Sequence, residues 1–143
     1  NQSLYDILIE CYRKFGAHKE KLISFTQKGK KGLGKIKAMM EGYRNNPPNE
    51  IAGVRVSQLE DFIKRKRIFL LDKRIEKINL PVADVLIFTL EDDSKIAIRP
   101  SGTEPKIKFY FSVNDTLKEP EDWDTVELRL DQRIEKIIKG IGL

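Results

Sequence analysis

Apolar and polar side chains alternate strictly between Lys106 and Val113, and this pattern constrains the fold more than any other part of the sequence. The apolar positions are Ile107, Phe109, Phe111 and Val113. A period of two is typical of a β-strand with one buried face and one face toward solvent. Such a strand needs partner strands in a sheet and a second layer against its apolar face.

The C-terminal segment supplies a candidate for that second layer. Apolar residues recur there at helical spacing, at Val126, Leu130, Ile134, Ile137, Ile138 and Ile141. The spacing predicts a helix from about Glu121, with Pro120 in its first turn and its apolar stripe on the sheet. Trp123 could stack on a sugar, but we favour packing, because aromatic residues near a helix start more often anchor the helix to the core.

A central hairpin is predicted before the alternating strand. The apolar run Asp84–Leu90 is followed by the polar turn Glu91–Ser94. The run is apolar on both faces and therefore predicts a central strand. Lys95–Arg99 then returns as the second strand of the hairpin, and it carries Arg99 to the end of the sheet.

The remaining strand signals are weaker. Lys19–Gln27 alternates loosely around apolar residues and predicts a strand that ends before Gly29. Val54 and Val56 alternate within Ile51–Phe62, which also predicts a strand. Ile68–Leu80 shows no clear period, so we expect a loop with irregular structure there.

Two helices are predicted in the first third of the chain. Ser3 is a suitable N-cap for an amphipathic segment that ends at Phe15, and Gly16 can terminate it in αL geometry. Helical spacing from Leu33 to Tyr43 predicts a second helix, whose two methionines we expect in the core. Together these elements predict an α+β fold, with a mainly antiparallel sheet packed against helices.

The segment Arg99–Lys108 has the composition of a loop that binds a phosphate group. The guanidinium of Arg99 offers a planar fork of donors that can meet two phosphate oxygens at once. Ser101 and Thr103 supply hydroxyl groups, and Gly102 between them leaves the backbone N–H groups open to an anion. The sequence therefore predicts an anion site at the end of the hairpin.

The residues around this loop support the prediction without proving it. Pro100 and Pro105 restrict the backbone on both sides, so the loop should be short and stiff. Lys106 and Lys108 face the same side of the following strand. A Ser-Gly-Thr sequence between two prolines is most often an ordinary turn. The basic residues that flank it favour the phosphate site.

Two other basic stretches suggest binding sites. Gly29–Ile36 satisfies the spacing of a nucleotide P-loop through Lys35. Ile36 stands where a P-loop needs Ser or Thr for magnesium, so we favour a solvated helix start. Lys64–Arg67 is similar to a nuclear-import or nucleic-acid patch, yet four basic residues in a connecting loop are usually a solvated surface.

The chain has one cysteine, Cys11, and one histidine, His18. One cysteine cannot form an internal disulfide, which fits a reducing compartment, and we expect Cys11 to be a small core residue. His18 has no Cys or His partners at metal-ligand spacing and no Ser-His-Asp arrangement around it, so we expect a surface residue and no metal site.

A length of 143 residues, 40% of them hydrophobic, predicts one soluble domain. The net charge of +5 predicts anionic partners, either phosphorylated metabolites or nucleic acid. No apolar run approaches the roughly 20 residues that span a bilayer, and no signal peptide is evident, so we expect no membrane partner and a cytoplasmic location. Because the first residue is Asn1, we expect the chain to be part of a longer protein.

The stretch from Arg99 to Tyr110, Arg-Pro-Ser-Gly-Thr-Glu-Pro-Lys-Ile-Lys-Phe-Tyr, closely resembles the phosphate-binding loop in the C-terminal domain of the α-D-phosphohexomutases. The similarity extends from about Ser3 to the C-terminus, and Arg44–Pro48 resembles the phosphoglucomutase and phosphopentomutase branch. The resemblance implies a fold similar to that of the TATA-box-binding protein. It also implies that residues 1–16 form a helix at the junction with a preceding domain, and that residues 17–143 form the C-terminal phosphate-binding domain.

The resemblance further implies a function in sugar phosphate chemistry. The family interconverts the 1-phosphate and 6-phosphate of hexoses through a bisphosphorylated intermediate and an active-site phosphoserine. By this resemblance, the non-reacting phosphate of the phosphosugar is held by Arg99, Ser101, Gly102, Thr103 and Lys108. Lys106 is a weaker candidate. Glu104 would repel an anion, and we expect it to form an ion pair with a neighbouring Lys or Arg.

Three motifs of the resembled family are missing from this sequence. They are the Thr-Ala-Ser-His-Asn-Pro phosphoserine loop, the Asp-Gly-Asp metal loop and the Gly-Glu-x-Ser-Gly sugar loop. We therefore expect no catalytic residue and no cofactor in this chain, with Mg²⁺ and the phosphoserine in other domains of the same polypeptide. The alternative is a basic nucleic-acid-binding module, which the charge, the Lys64–Arg67 cluster and aromatic residues on a sheet would favour.

Overall fold

Three helices and eight strands make up the structure, a computed structural model that describes residues 2–27, 29 and 31–143. The helices are α1 (Leu4–Phe15), α2 (Gly32–Asn45) and α3 (Trp123–Gly140). The strands are β1 (Ala17–Thr26), β2 (Glu50–Ile51), β3 (Val54–Asp61), β4 (Lys66–Phe69), β5 (Ile75–Lys77), β6 (Leu86–Leu90), β7 (Lys95–Pro100) and β8 (Lys106–Asp115). The predicted α+β fold is confirmed.

All strands belong to one antiparallel sheet. Its order is β1-β8-β7-β6-β3-β4-β5, and β2 pairs with β3 outside this path. The predicted alternating strand is β8, and it pairs with β1 over ten residues, from Ala17 opposite Asp115 to Thr26 opposite Lys106. On its other side β8 pairs with β7. These three strands position the candidate phosphate loop.

The core lies on one face of this sheet, where the apolar alternate residues of β8 meet the helices. Ile107, Phe109, Phe111 and Val113 are all buried. The C-terminal stripe of α3 is buried in the same cluster, as are Ile36 and Met40 of α2. The predicted second layer and the predicted core position of the methionines are confirmed, with Met39 only partly buried.

Ion pairs fix α3 along the sheet. Arg129 of α3 donates to Asp115 at the end of β8 and to Glu121, over 3.0 and 2.5 Å. Burial raises the pKa of the Asp115 carboxyl, but the hydrogen bonds from Arg129 and from the Thr116 N–H outweigh this, so the pKa is lowered. Trp123 stacks on Tyr12 of α1 with ring centroids 4.5 Å apart, which confirms the packing prediction for this residue.

Helix α1 begins and ends where the sequence predicts. Ser3 accepts a hydrogen bond from the Asp6 N–H, and the Asp6 carboxylate accepts one from the Ser3 N–H, a complete capping box. Gly16 has a positive φ of 89°, but its ψ of 153° lies far from αL geometry. That prediction is wrong because the chain turns directly into the extended strand β1 at Ala17.

Cys11 is exposed, so its predicted place in the core is wrong. The reason is that α1 contacts the body through one side only, with Ile9 and Tyr12 partly buried and no residue fully buried. Several apolar side chains of this helix remain largely exposed, including Leu4 and Phe15. The assignment of residues 1–16 to a junction with another domain stays a prediction, as does the boundary at residue 17.

The predicted irregular loop Ile68–Leu80 is wrong for five of its thirteen residues, which lie in strands. It contains the end of β4 and all of β5, which pair with each other and extend the sheet beyond β3. Lys66 and Arg67 accordingly lie in β4 rather than in a connecting loop. The hairpin sits at the edge of the sheet, where charged residues are common because they protect an open edge, and this obscures the apolar period.

The start of α3 also differs from the prediction. The N-cap is Asp122, whose carboxylate accepts a hydrogen bond from the Thr125 N–H over 2.9 Å. Pro120 therefore precedes the helix instead of lying in its first turn, because the side-chain cap sets the first helical residue. Among the residues that the structure describes, no helix has the length and apolar character needed to cross a bilayer.

Candidate phosphate-binding site

The candidate site is the hairpin loop between β7 and β8, and its own backbone holds its shape. The Ser101 N–H donates to the Lys106 carbonyl over 2.7 Å, and the Lys106 N–H donates to the Glu104 carbonyl over 2.7 Å. The Glu104 N–H donates to Ser101 Oγ over 3.3 Å. A fourth hydrogen bond, from the Gln27 N–H to the Pro105 carbonyl, ties the loop to the end of β1. The predicted short loop is therefore present and braced.

Arg99 and Lys108 face each other at the base of this loop. They are directly paired in the register of β7 and β8. Both belong to the face opposite the core, since their neighbours Ile98, Ile107 and Phe109 are completely buried. Like charges directly opposite each other on paired strands are destabilising. An anion bound between them would offset that repulsion.

None of the cations Arg99, Lys106 and Lys108 forms an ion pair in the part of the chain that the structure describes. No carboxylate oxygen there lies within 4.0 Å of a side-chain nitrogen of Arg99, Lys106 or Lys108. The ion pair predicted for Glu104 is likewise not seen among the described residues. The positive charge of the hairpin is thus available to a ligand.

A cavity of about 270 Å³ opens beside the hairpin. Four of the predicted ligands line it, namely Arg99, Ser101, Gly102 and Lys108. The weaker candidate Lys106 lines it too, and so do Glu104, the one carboxylate residue in the lining, and Tyr110, which the sequence identified only as a strand residue. The fifth predicted ligand, Thr103, is exposed and does not line this cavity.

Gly102 leaves its side of the loop open. A Cβ atom built on Gly102 would meet no other atom within 4 Å, and the backbone there does not require the left-handed region. Neither packing nor conformation explains the glycine within this chain. That Gly102 gives an anion access to the backbone N–H groups stays a prediction.

A buried charge cluster beneath the loop escaped the sequence reasoning. Arg44 of α2 reaches the Asp84 carboxylate over 2.6 Å and the Asp61 carboxylate over 3.2 Å. The side chains of Arg44 and Asp61 are only 3% and 1% exposed. Burial lowers the pKa of Arg44, but the hydrogen bond that Arg44 donates to Asp84 and the charges of Asp61, Asp84 and Glu41 outweigh this and raise the pKa. These residues are far apart in sequence, so no local pattern could have revealed the cluster.

The other candidate sites do not assemble. Ile36, at the metal-binding position of the P-loop spacing, is 3% exposed and belongs to the core. Lys30 of that stretch lies outside the described residues. His18 is exposed, as predicted. Within residues 2–27, 29 and 31–143, no three His, Cys, Asp or Glu residues form a group that could hold a metal ion.

Fold and site together define a small α+β domain that presents a cationic hairpin. Residues 43–130 match the sequence profile of the "Phosphoglucomutase/phosphomannomutase, C-terminal domain". The chain belongs to this family of C-terminal domains, which confirms the resemblance found in the sequence.

Curated relatives agree with this assignment. The chain is 43% identical to a phosphoglucomutase of Staphylococcus aureus strain RF122 over 113 residues, which are 78% of the chain and 20% of the relative. It is 40% identical to that of strain MRSA252 over 134 residues, or 93% of the chain and 23% of the relative. The chain thus spans about a fifth of the length of these relatives.

A comparison with solved structures finds parafusin from Paramecium, described as a phosphoglucomutase in an open form. The alignment covers 99% of this chain and 24% of the parafusin chain, at 17% sequence identity and a TM-score of 0.49.

Proposed function

We propose that this chain is the substrate-phosphate-binding domain of a phosphohexomutase. In this proposal the hairpin holds the non-reacting phosphate of a phosphosugar, through Arg99, Lys108 and the backbone and side chains of residues 101–103. The observation that carries it is the pairing of Arg99 with Lys108 beside a braced loop, with no acidic partner among the described residues. Two opposed cations at a cavity are typical of a site for a dianion.

The geometry suits a reaction in which the sugar must turn around. In the reaction that the family resemblance implies, phosphoryl groups move between the 1- and 6-positions by way of a bisphosphate. The non-reacting phosphate is then attached to either end of the sugar in turn. A site built from backbone N–H groups, hydroxyls and two cations contacts only the phosphate, so it accepts both orientations.

The chemical step itself requires groups that this chain does not supply. The sequence lacks the phosphoserine, metal and sugar motifs of the resembled family. The described residues also offer no metal-binding group, so we assign Mg²⁺ and the phosphoserine to other domains of a longer protein. In this proposal the chain positions the substrate. The sugar preference is a property of the whole enzyme, which we expect to be in the cytoplasm.

Arg99→Ala in the longer protein tests the proposal. Loss of a charge-assisted hydrogen-bond donor costs about 1.5 to 3 kcal/mol, so kcat/KM for a hexose phosphate should fall about 10- to 150-fold. The matched control is Arg67→Ala, because Arg67 carries the same charge but is paired with Glu60 and Glu76 in the structure. We expect its kcat/KM to stay within about twofold of the parent.

Two results would contradict the proposal. One is an Arg99→Ala enzyme with unchanged kcat/KM, and the other is an equal loss in both variants, which would indicate a general effect of charge. The 143-residue chain alone serves as the blank for this assay. It should show no turnover, because it carries neither the nucleophile nor the metal loop.

A further inference from the structure

The open face of the sheet continues beyond the phosphate hairpin as a trough. Three rows of cross-strand neighbours cross β7, β8 and β1 on this face. From the loop outward, the rows are Arg99–Lys108–Ser24, Ala97–Tyr110–Leu22 and Lys95–Ser112–Glu20. Successive rows are about 7 Å apart, since each is two residues further along the strands. A ligand that starts at the first row therefore meets Tyr110 and Leu22 next.

Tyr110 lines two neighbouring cavities. It lines the cavity of the phosphate hairpin, and it also lines a second cavity of about 660 Å³ whose other walls include Leu22, Ala97 and Ile87. The volume of the second cavity is in the range of small-molecule sites, about 300 to 1,000 Å³, and that of the first is slightly below it. All residues that line the second cavity come from strands. The first cavity is cationic, whereas the second has an apolar floor with polar groups at its rim.

The apolar floor is exposed although it lies on a sheet. Tyr110 is 40% exposed and Leu22 is 51% exposed, and the two are direct neighbours across β8 and β1. An aromatic ring beside an apolar side chain offers a flat surface on which the C–H face of a sugar ring can pack. The phenol oxygen of Tyr110 can in addition accept or donate a hydrogen bond to a hydroxyl group.

The direction of the ligand is constrained by the loop. Behind the first row, the backbone of residues 101–105 closes the hairpin through its own hydrogen bonds. Along the sheet in the other direction the trough stays open past Tyr110. A hexose ring is joined to its phosphate by an ester oxygen and at most one methylene group. A phosphate held by Arg99 and Lys108 therefore brings the ring within reach of the second row.

We propose that Tyr110 and Leu22 form a platform for the sugar ring of the phosphorylated ligand, so that this chain distinguishes ring-bearing phosphate esters from other phosphate esters. This inference rests on the proposed phosphate site and adds the part of the substrate that lies next to it. Tyr110 is a specificity-determining residue in this account. The loop binds the anion, and the platform recognises what the anion is attached to.

Binding to the 143-residue chain at constant ionic strength tests the platform, with NMR titrations of three probes. Inorganic phosphate, glycerol 3-phosphate and glucose 6-phosphate are compared at a pH at which all are dianions. An aromatic contact should make the Kd of glucose 6-phosphate about three- to tenfold lower than that of glycerol 3-phosphate. Tyr110→Ser should remove this ratio, because the ring that contacts the hexose is gone, and the Kd of each ester is compared with that of inorganic phosphate for the same variant.

Two matched variants accompany this experiment. Tyr110→Phe keeps the ring and should keep the ratio. Tyr5→Ser removes an exposed tyrosine of α1 that lies on a different element, and it should also keep the ratio. If Tyr110→Ser does not fold, Leu22→Ser decides the question on the neighbouring strand, where we expect the ratio to fall toward one.

The possible results separate the platform from the phosphate site. Equal Kd values for the two esters in the parent chain would overturn the platform. So would an unchanged ratio of the two Kd values in Tyr110→Ser, or in Leu22→Ser if that variant takes its place. In both cases binding of inorganic phosphate would leave the phosphate site intact. If none of the three probes binds, the proposed phosphate site falls and the platform falls with it.

Discussion

Two basic regions of this domain differ in the residues that surround their cations. In the segment Lys64–Arg67, Arg67 lies between Glu60 and Glu76 in a row across β3, β4 and β5. In the phosphate hairpin, residues 99–108, Lys108 lies between Arg99 and Ser24 in a row across β7, β8 and β1. The charge of Arg67 is neutralised by its two acidic neighbours, whereas Lys108 is repelled by Arg99. Pairing across the sheet therefore separates a structural cation from a candidate ligand.

The basic segment is also anchored from below. Asp61 Oδ1 accepts hydrogen bonds from the N–H groups of Ile63 and Lys64, each over 3.1 Å, while Oδ2 of the same carboxylate faces Arg44. Arg65 donates to the Ile78 carbonyl. These contacts explain the segment as part of the fold. They weaken the alternative of a nucleic-acid patch, because a binding surface needs its cations unpaired.

Asp61→Ala should have the largest effect on stability and tests whether the basic segment is structural. The substitution removes the buried partner of Arg44 and the acceptor of two backbone N–H groups, while Asp84 and Glu41 still compensate Arg44 in part. The free energy of unfolding should therefore fall by about 3 kcal/mol, the lower end of the range for a broken buried ion pair. Chemical denaturation measures this value. Glu41→Ala is the matched control, since Glu41 contacts the same arginine but its side chain is 49% exposed. It should cost about 1 kcal/mol or less.

Equal losses in the two variants would contradict this prediction. They would mean that Asp61 is no more important than a surface carboxylate. The basic segment Lys64–Arg67 would then not be held in place by Asp61, and it would no longer differ from the phosphate hairpin in this respect.

Lys108→Met should have a smaller and opposite effect on stability. It removes the repulsion between Arg99 and Lys108, which should raise the free energy of unfolding by about 0.2 to 1 kcal/mol in the absence of ligand. Lys66→Met is the matched control, because Lys66 is directly opposite Lys77 in β5 but also opposite Asp61 in β3. Removing Lys66 takes away one like-charge and one opposite-charge neighbour, so the free energy of unfolding should change by less than in Lys108→Met.

Phosphate binding separates these two substitutions. Lys108→Met should weaken it, since a cation of the site is gone, whereas Lys66→Met should leave it unchanged. A stabilised Lys108→Met chain that binds phosphate as well as the parent would show that the opposed cations are not held apart for a ligand. A Lys66→Met chain with equally weakened binding would show that only overall charge matters.

The sequence predicted the elements whose signals are local. The alternation in β8, the stripe of α3 and the capping residue Ser3 each lie within one stretch, and each prediction is confirmed. The hairpin β4–β5 was missed because its pairing with β3 is set by distant residues and its charged positions hide the period. Local signals also led to the prediction of a phosphate site in the loop between β7 and β8, which stays a prediction.

What the sequence could not show is how distant residues meet. Ser24 beside Lys108, and Leu22 beside Tyr110, follow only from the register between β1 and β8. The Arg44–Asp61 pair joins α2 to the end of β3, which no spacing rule predicts. Cys11 was misplaced for a related reason, since the apolar content of α1 did not reveal how little of that helix would be covered.

The central claim is that the hairpin holds a preorganised anion site. An NMR titration of the 143-residue chain with phosphate tests this claim most directly. At constant ionic strength, the amide resonances of Ser101, Gly102 and Thr103 should shift more than those of Lys64–Arg67. Binding should be weak, because a small anion makes few contacts. Equal shifts in the two basic regions would show that general charge attraction explains the binding, and would contradict the assignment of the phosphate site.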